Sequence, residues 1–249
     1  MADDETRAQL EIDPAIGTVE MKITARARDE DEVVEALERA DVDPEAREVY
    51  FFDTSNLTLF EAGIVLRARL VHDGADDSTV KLRPVDPNSL SERWKRDPKL
   101  ELEVDAVGDK YVTSAKLGAD QDRGEIDDVV QGRRNLRTLF SGDQEQFLAD
   151  HAPGGAPVDW DQLRLLGPVQ VHKWEVEPKE LGYEVTVEEW VLPDRSDLVE
   201  LSIKVDPNQA VEANERFVEF LRARGFDTEG EQQTKTRTAL EYFSGKALG

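Results

Sequence analysis

Apolar and polar residues alternate with a period of two along much of this 249-residue chain. In the first such segment, 16–28, Val19, Met21 and Ile23 fall on one face and charged or hydroxyl residues on the other. Successive side chains of a strand point to opposite faces, so the pattern predicts a β-strand. The same pattern predicts strands at 50–53, 64–71, 78–84, 100–104, 169–177, 183–192 and 198–205. A sheet of about eight strands tends to close, and one face then lines an interior.

Other segments show the three- and four-residue spacing of amphipathic helices. These are 29–40, 209–224 and 234–243, and a helical insert is predicted around 110–150. The strands before and after the insert share one pattern, and we therefore expect a single domain over 16–249. Residues 1–15 are predicted to be an acidic leader.

The charge balance excludes several classes of function. The chain has 55 acidic and 31 basic residues, a net charge of −24, and no cysteine. Nucleic-acid and membrane binding both depend on basic residues that meet phosphate groups, so we expect neither. The absence of cysteine excludes disulfides and thiol catalysis. The N-terminal residues do not resemble a secretion signal, and a cytoplasmic location is expected.

Charges of one sign are grouped on the polar strand faces. Arg67 and Arg69 form a basic pair, and Glu101 and Glu103 form an acidic one. A second basic pair is Lys81 and Arg83. One interpretation is an ordinary sheet whose polar face is solvated, with the acidic strand paired to a basic neighbour. The other is an interior that binds a polyphosphate with a divalent cation, because guanidinium and ammonium groups bind phosphate oxygens and carboxylates bind Mg²⁺ or Mn²⁺.

Several segments resemble the CYTH superfamily, also called triphosphate tunnel metalloenzymes. The segment 18–22 is similar to the E-x-E-x-K strand of that family, although Thr18 replaces the first glutamate. The most specific match is 50–69, which contains Tyr-Phe-Phe-Asp-Thr and later Ala-Gly-Ile-Val-Leu-Arg-Ala-Arg. The basic strand 80–83, the acidic strand 101–103 and several later charged residues also match. The resemblance covers about 16–243.

The resemblance implies an α+β fold, in which an antiparallel closed β-barrel-like tunnel of about eight strands carries helices packed outside. Its ligand would be a triphosphate-containing small molecule: tripolyphosphate, a nucleoside triphosphate or thiamine triphosphate. Phosphate oxygens would be bound by Lys22, Arg67, Arg69, Lys81, Arg83, Lys173 and Lys235. Mg²⁺ or Mn²⁺ would be bound by Glu20, Glu101, Glu103, Glu188 and Glu200. The resemblance also implies direct roles in hydrolysis for Lys22, Glu20 and Glu188.

Two departures from the family pattern affect the predicted metal site. Thr18 stands in place of one glutamate, and the late acidic strand reads Glu200-Leu201-Ser202, with Ser202 in place of another. Hydroxyl groups bind divalent cations far more weakly than carboxylates do. The leading hypothesis is a metal-dependent triphosphate hydrolase, and the alternative is a polyphosphate- or nucleotide-binding protein with little or no catalysis. A class IV adenylyl cyclase is a third possibility, but no residue for an adenine pocket is recognisable.

Overall fold

The computed structural model describes residues 16–25, 33, 37, 43–107, 110–155, 157–228 and 233–245. The predicted leader 1–15 and most of the predicted helix 29–40 lie outside the described residues. Of that helix, Val33 and Leu37 are described, and both are buried.

The described residues form nine strands, which join in one closed barrel. Their bounds are β1 Thr18–Ala25, β2 Glu45–Asp53, β3 Ile64–Val71, β4 Asp76–Leu82, β5 Leu100–Val107, β6 Lys110–Gln121, β7 Arg164–Val176, β8 Val185–Val191 and β9 Asp197–Val205. The α-helices are α1 Thr58–Glu61, α2 Glu92–Lys95, α3 Glu125–Val130, α4 Gly142–His151, α5 Ala210–Ala223 and α6 Lys235–Ser244. In the described ranges, every helix is too short or too polar to cross a lipid bilayer.

Around the barrel the strands follow the order β1-β5-β6-β4-β3-β2-β7-β8-β9. All neighbours pair antiparallel except β1 and β5, which are parallel. An odd number of strands cannot alternate in direction all the way round, so one parallel junction is required for closure. The predicted closed barrel with outer helices is confirmed, and it differs from the prediction in having nine strands and this parallel pair.

The additional strand is β6, which lies where we expected the helical insert to begin. Residues Lys110–Gln121 pair with both β4 and β5, and α-helical structure starts only at Glu125. Small residues conceal the alternation here, because Ser114, Ala115 and Gly118 give weak contrast between the two faces. The structure shows Ala115 and Leu117 in the core, as the outward face of a strand requires.

The main apolar cores lie between the outside of the barrel and the helices. On one side, Val19, Met21 and Ile23 of β1 pack in a cluster with Phe217 and Leu221 of α5. A second cluster joins the opposite side of the barrel to α2, α3 and α4 through Trp94, Ile126 and Phe147, among other residues. Because the apolar strand faces point outward, the polar faces line the inside.

A third cluster closes one end of the barrel. Ala239 and Leu240 of α6 pack with Phe51, Val65 and Trp190. Phe51 and Val65 also line the internal cavity, so α6 packs against the inner face of the barrel. β1 ends at the same end of the barrel. Thr24, the second-to-last residue of β1, donates a hydrogen bond from Oγ1 to the carbonyl of Gln233, just before α6, at 3.0 Å.

Candidate functional site

The barrel encloses a cavity of about 450 Å³, and all nine strands contribute side chains to its wall. Ten basic and seven acidic residues line it, which leaves three positive charges in excess. The whole chain has a net charge of −24. The cavity is therefore a basic interior within an acidic protein.

Eleven of the twelve predicted site residues line this cavity. They are Glu20, Lys22, Arg67, Arg69, Lys81, Arg83, Glu103, Lys173, Glu188, Glu200 and Lys235. They come from widely separated parts of the sequence, and closure of the barrel brings them together. Their chemical roles remain predictions, whereas their common location is observed.

Glu101 is the exception, and it does not lie on the cavity. Its side chain is 56 % exposed, and its Oε2 lies 2.7 Å from Lys116 Nζ. Asp105, two residues beyond Glu103 on the same face of β5, lines the cavity and was not among the predicted ligands. We ended the predicted strand at Val104, whereas β5 continues to Val107. Extending the alternation by one residue would have identified Asp105.

Glu20, Glu103 and Asp105 form a carboxylate triad on the neighbouring strands β1 and β5. Each provides an oxygen, and these oxygens all lie within 4.8 Å of one another. Two lysines offset two of the three negative charges of the triad. Lys22 Nζ lies 2.9 Å from Glu20 Oε2 and also contacts Asp105, while Lys81 Nζ lies 2.8 Å from Glu103 Oε1 and 2.7 Å from Asp105 Oδ2.

The ion pairs between the triad and its lysines oppose the effect of burial on the pKa values of these groups. Burial alone would raise the pKa of Asp105, but the ammonium groups of Lys22 and Lys81 outweigh it and hold the pKa well below its usual value. Burial would also raise the pKa of Glu20, but Lys22, together with other lysines, outweighs burial, and the pKa of Glu20 is lowered. Burial would lower the pKa of Lys22, but Glu20 and Asp105 raise it well above the usual value. All three groups are therefore charged at neutral pH.

The triad also fits the chemistry of a divalent cation. Carboxylate oxygens are the ligands that Mg²⁺ and Mn²⁺ prefer, and three of them converge here. These oxygens can hold a metal ion once they are free of the two ammonium groups.

A second acidic pair, Glu188 and Glu200, lies near α6. The two residues are directly opposite each other on β8 and β9, and Lys235 Nζ contacts Glu188 and lies 2.8 Å from Glu200 Oε1. Trp190 Nε1 donates to Glu188 Oε2 at 2.9 Å. Burial would raise the pKa of Glu188, but Lys235 and the hydrogen bond from Trp190 hold it well below its usual value. Lys235, predicted as a phosphate ligand, thus comes from the helix that closes the barrel.

The arginines of the cavity differ in how they are paired. Arg69 Nε donates to both carboxylate oxygens of Asp77, at 2.8 and 3.1 Å. Arg67 makes no ion pair with any described residue; its Nη2 donates to Thr79 Oγ1 at 3.5 Å, and its buried Nε has no hydrogen-bond partner. Burial, with a contribution from nearby Arg69, lowers the pKa of Arg67 to about 10. Arg67 is thus a partly buried cation, and most of its hydrogen-bonding capacity is unused by the described residues.

Arg83 is also without an ion pair among the described residues. Its guanidinium lies 5.4 Å from the centre of the Phe60 ring, and burial lowers its pKa. The segment 53–63 positions this ring: Asp53 accepts hydrogen bonds from the backbone N–H groups of Leu59 and Phe60 at 3.0 and 2.9 Å. Gly63 has a φ of 83°, and a Cβ there would lie 2.0 Å from the carbonyl oxygen of Arg83. The most specific block of the sequence therefore shapes the turn beside Arg83.

Several lining residues were not predicted as ligands. Arg47 lies in the first part of β2, which begins five residues before the predicted start at Tyr50. Lys116 was hidden in the segment assigned to the helical insert, and Lys204 lies on the inward face of β9 beyond Ser202. Lys173, a predicted ligand, contacts the lining residue Glu175.

Comparison with known proteins finds similarity in structure. No protein-family model and no curated protein sequence matches the chain. A candidate adenylate cyclase from Bacillus halodurans superposes with a TM-score of 0.60 and 13 % identity, over 89 % of this chain and 98 % of that one. A candidate adenylyl cyclase from Hippeastrum, HpAC1, described as having a dominant triphosphatase activity, gives 0.59 and 17 %, over 94 % and 98 %. A third, from Vibrio parahaemolyticus, gives 0.50 and 12 %, over 91 % and 99 %.

At these identities the comparisons show the fold, and they extend over nearly the full length of each neighbour. The closed barrel, its outer helices and its charged interior agree with the features that the resemblance in 18–22 and 50–69 led us to expect. The chain therefore shares the fold of these three structures, a closed barrel with helices packed outside, and its sequence resembles the CYTH superfamily.

Proposed function

We propose that this protein binds a linear triphosphate inside the barrel and hydrolyses its terminal phosphoanhydride bond with the help of Mg²⁺ or Mn²⁺. In this reaction the oxygen of water forms a bond to the terminal phosphorus while the bond to the bridging oxygen breaks. Tripolyphosphate would yield orthophosphate and diphosphate. The activity of HpAC1 on triphosphates supports the proposal by analogy of fold.

The observation that carries the proposal is Arg67, whose guanidinium Nε is buried without a hydrogen-bond partner and which makes no ion pair with any described residue. Burying a charge without a partner is unfavourable, and such a group is retained where a ligand supplies the opposite charge. Arg67 lines the cavity with nine other basic side chains. A triphosphate carries several negative charges on oxygens that match guanidinium donors, so it suits this wall better than a neutral or cationic ligand does.

The residues around the cavity would have different roles in the reaction. Lys22, Arg67 and Lys235 would hold phosphate oxygens and stabilise the negative charge that develops during displacement. Glu20 and Glu188 have lowered pKa values and are ionised, so either can accept a hydrogen bond from the attacking water. A divalent cation on the carboxylate triad would neutralise phosphate charge and lower the pKa of bound water.

Phosphate release tests the proposal directly. Purified protein is incubated with tripolyphosphate, ATP or thiamine triphosphate, each with Mg²⁺ or Mn²⁺, and orthophosphate is measured. We expect release from at least one substrate, and a large reduction in Lys22→Ala and Arg67→Ala. If no combination exceeds the Lys22→Ala background, the hydrolase proposal is wrong. Formation of cyclic AMP from ATP in the same panel would instead identify a cyclase.

Binding without hydrolysis is the second candidate, and the residues at 18 and 202 favour it. Thr18 lies opposite Glu103, beside the triad, and Ser202 lies opposite Lys22; both positions hold hydroxyls where the family pattern has carboxylates. A binding protein with a weakened metal site would take up tripolyphosphate in the presence of a chelator, and calorimetry measures this. A strict requirement for metal in that titration would count against the second candidate. The cytoplasmic location remains a prediction under both.

A further inference from the structure

The two lysines beside the carboxylate triad are shared between two predicted roles. Lys22 and Lys81 are expected to bind phosphate, yet in the ligand-free protein they contact all three triad carboxylates. Both lysine side chains are largely buried, with 13 and 16 % exposed, and the triad carboxylates are between 4 and 15 % exposed. The carboxylates that would bind a metal ion therefore form ion pairs with the two lysines that would bind the anion.

A divalent cation and an ammonium group compete for the same carboxylate oxygens. Two like charges within about 4 Å repel strongly where water is largely excluded. A metal entering the triad alone must therefore displace Lys22 and Lys81 into a cavity that already has an excess of positive charge. Phosphate oxygens remove this obstacle, since they offer the displaced ammonium groups a new partner.

We propose that an oligophosphate and a divalent cation bind to this protein cooperatively, because the anion draws Lys22 and Lys81 away from the triad and opens its carboxylates to the metal. The inference rests on the proposed anion site but not on hydrolysis. Coupling between two ligands is reciprocal, so each raises the affinity of the other by the same factor. Typical coupling factors lie between about 5 and 150.

The arginines explain how the anion can bind before the lysines move. Arg67 and Arg83 have no ion pair among the described residues, so a phosphate can approach them without breaking one. Lys22 and Lys81 would then transfer to the anion as it settles. We call this pairing of Lys22 and Lys81 with the triad the lysine lock. It blocks the metal site until an anion binds and draws the two ammonium groups away.

Removing one lysine tests the lock without any anion. We would measure Mn²⁺ binding to the ligand-free protein by the loss of the free Mn²⁺ signal in electron paramagnetic resonance. Lys22→Met and Lys81→Met each keep the apolar stem and remove the competing charge. We expect each to raise the affinity for Mn²⁺ by about tenfold, within the usual range of coupling factors. Unchanged or weaker binding in both variants would overturn the inference.

Lys116→Met is the matched control, because it removes one positive charge from the same cavity. Lys116 pairs with Glu101 and forms no ion pair with the triad among the described residues, so its removal should leave Mn²⁺ affinity within about twofold of the wild type. An equal gain in this variant would show a general charge effect and would overturn the lock. Circular dichroism at each Mn²⁺ concentration establishes that every variant is folded.

The anion arm uses sulfate, which binds Mn²⁺ only weakly in solution. Saturating sulfate should raise the affinity of the wild-type protein for Mn²⁺ and should have less effect on Lys22→Met, whose lock is already open. An equal effect on both proteins would contradict the proposed exchange. A protein that fails to release phosphate from any substrate can still pass these tests, so failure of the hydrolase proposal and failure of this inference are distinguishable.

Discussion

Glu188 and Glu200 face each other across β8 and β9, and the ammonium group of Lys235 contacts both carboxylates. Two carboxylates so close together would repel each other inside a protein, and one of them would be protonated without a cation nearby. The C-terminal helix α6 supplies that cation. It therefore has an electrostatic role in the barrel in addition to its apolar packing against Phe51 and Trp190.

Replacement of Lys235 should destabilise the protein strongly. Lys235→Met leaves two buried carboxylates without their cation, and loss of one partner from such a group costs about 3 kcal/mol or more. Urea denaturation at pH 7 measures the change in the free energy of unfolding. Lys95→Met is the control, since Lys95 lies 3.8 Å from an exposed glutamate and should change stability by less than about 0.5 kcal/mol. Equal effects of the two substitutions would contradict the role assigned to Lys235.

Stability should decrease in acid because of Asp105. The pKa values of Asp105, Glu20 and Glu188 are lower in the folded protein than their usual values. Groups of this kind stabilise the fold above their unfolded-state pKa, near 4, and lose that contribution as the pH falls through the folded pKa. We expect the free energy of unfolding to fall steadily below about pH 4. Asp105→Asn should flatten this dependence, and parallel curves for both proteins would refute the assignment.

Arg67 should show opposite effects on stability and on binding. Arg67→Met replaces a partly buried charge, which has no ion pair among the described residues, with an apolar side chain, and this should raise the free energy of unfolding by about 1 kcal/mol. The same substitution should weaken tripolyphosphate binding by roughly 10- to 100-fold, as loss of a charged hydrogen-bond donor does. Thermal denaturation and calorimetry measure the two effects. In contrast, Arg69→Met breaks the pair with Asp77 and should lower stability; a stability loss in both variants would speak against an anion site at Arg67.

Thr18→Glu should strengthen metal binding. Thr18 lies opposite Glu103, so a glutamate there would add a fourth carboxylate beside the triad. We expect the affinity for Mn²⁺ to rise by about tenfold, because each added anionic ligand favours the cation. Thr18→Gln has the same length without the charge and should give no comparable gain. If both substitutions behave alike, position 18 does not contribute to the metal site.

Much of the fold follows from local pattern. The alternation in 16–28 and 64–71 predicted β1 and β3 with boundaries close to those observed, since each strand has one apolar and one charged face. It failed for β6, where small side chains give little contrast. The parallel junction of β1 and β5 could not be read from local pattern, because it depends on which strands become neighbours.

Site residues could be predicted from the sequence where a charged residue lies on the polar face of a clearly alternating strand. Lys22, Arg67 and Lys81 were identified because each lies on the polar face of a clear strand. Asp105 was missed because the predicted strand ended at Val104, whereas β5 continues to Val107. Glu101 was misplaced because the sequence shows that it shares a face with Glu103, but not where the wall of the cavity begins along β5. The pairing of Lys22 and Lys81 with the triad is a property of the closed barrel alone.

The position of β1 has a consequence for how the chain folds during synthesis. β1 has two neighbours, β5 and β9, and its pairing with β9 joins Val19 to Val205. β1 is therefore synthesised long before β9, and the edge of β1 that pairs with β9 stays uncovered until then. Contacts between residues so distant in sequence slow folding, and an uncovered strand edge favours aggregation meanwhile. The high negative charge of the chain, which keeps nascent molecules apart, offsets that risk.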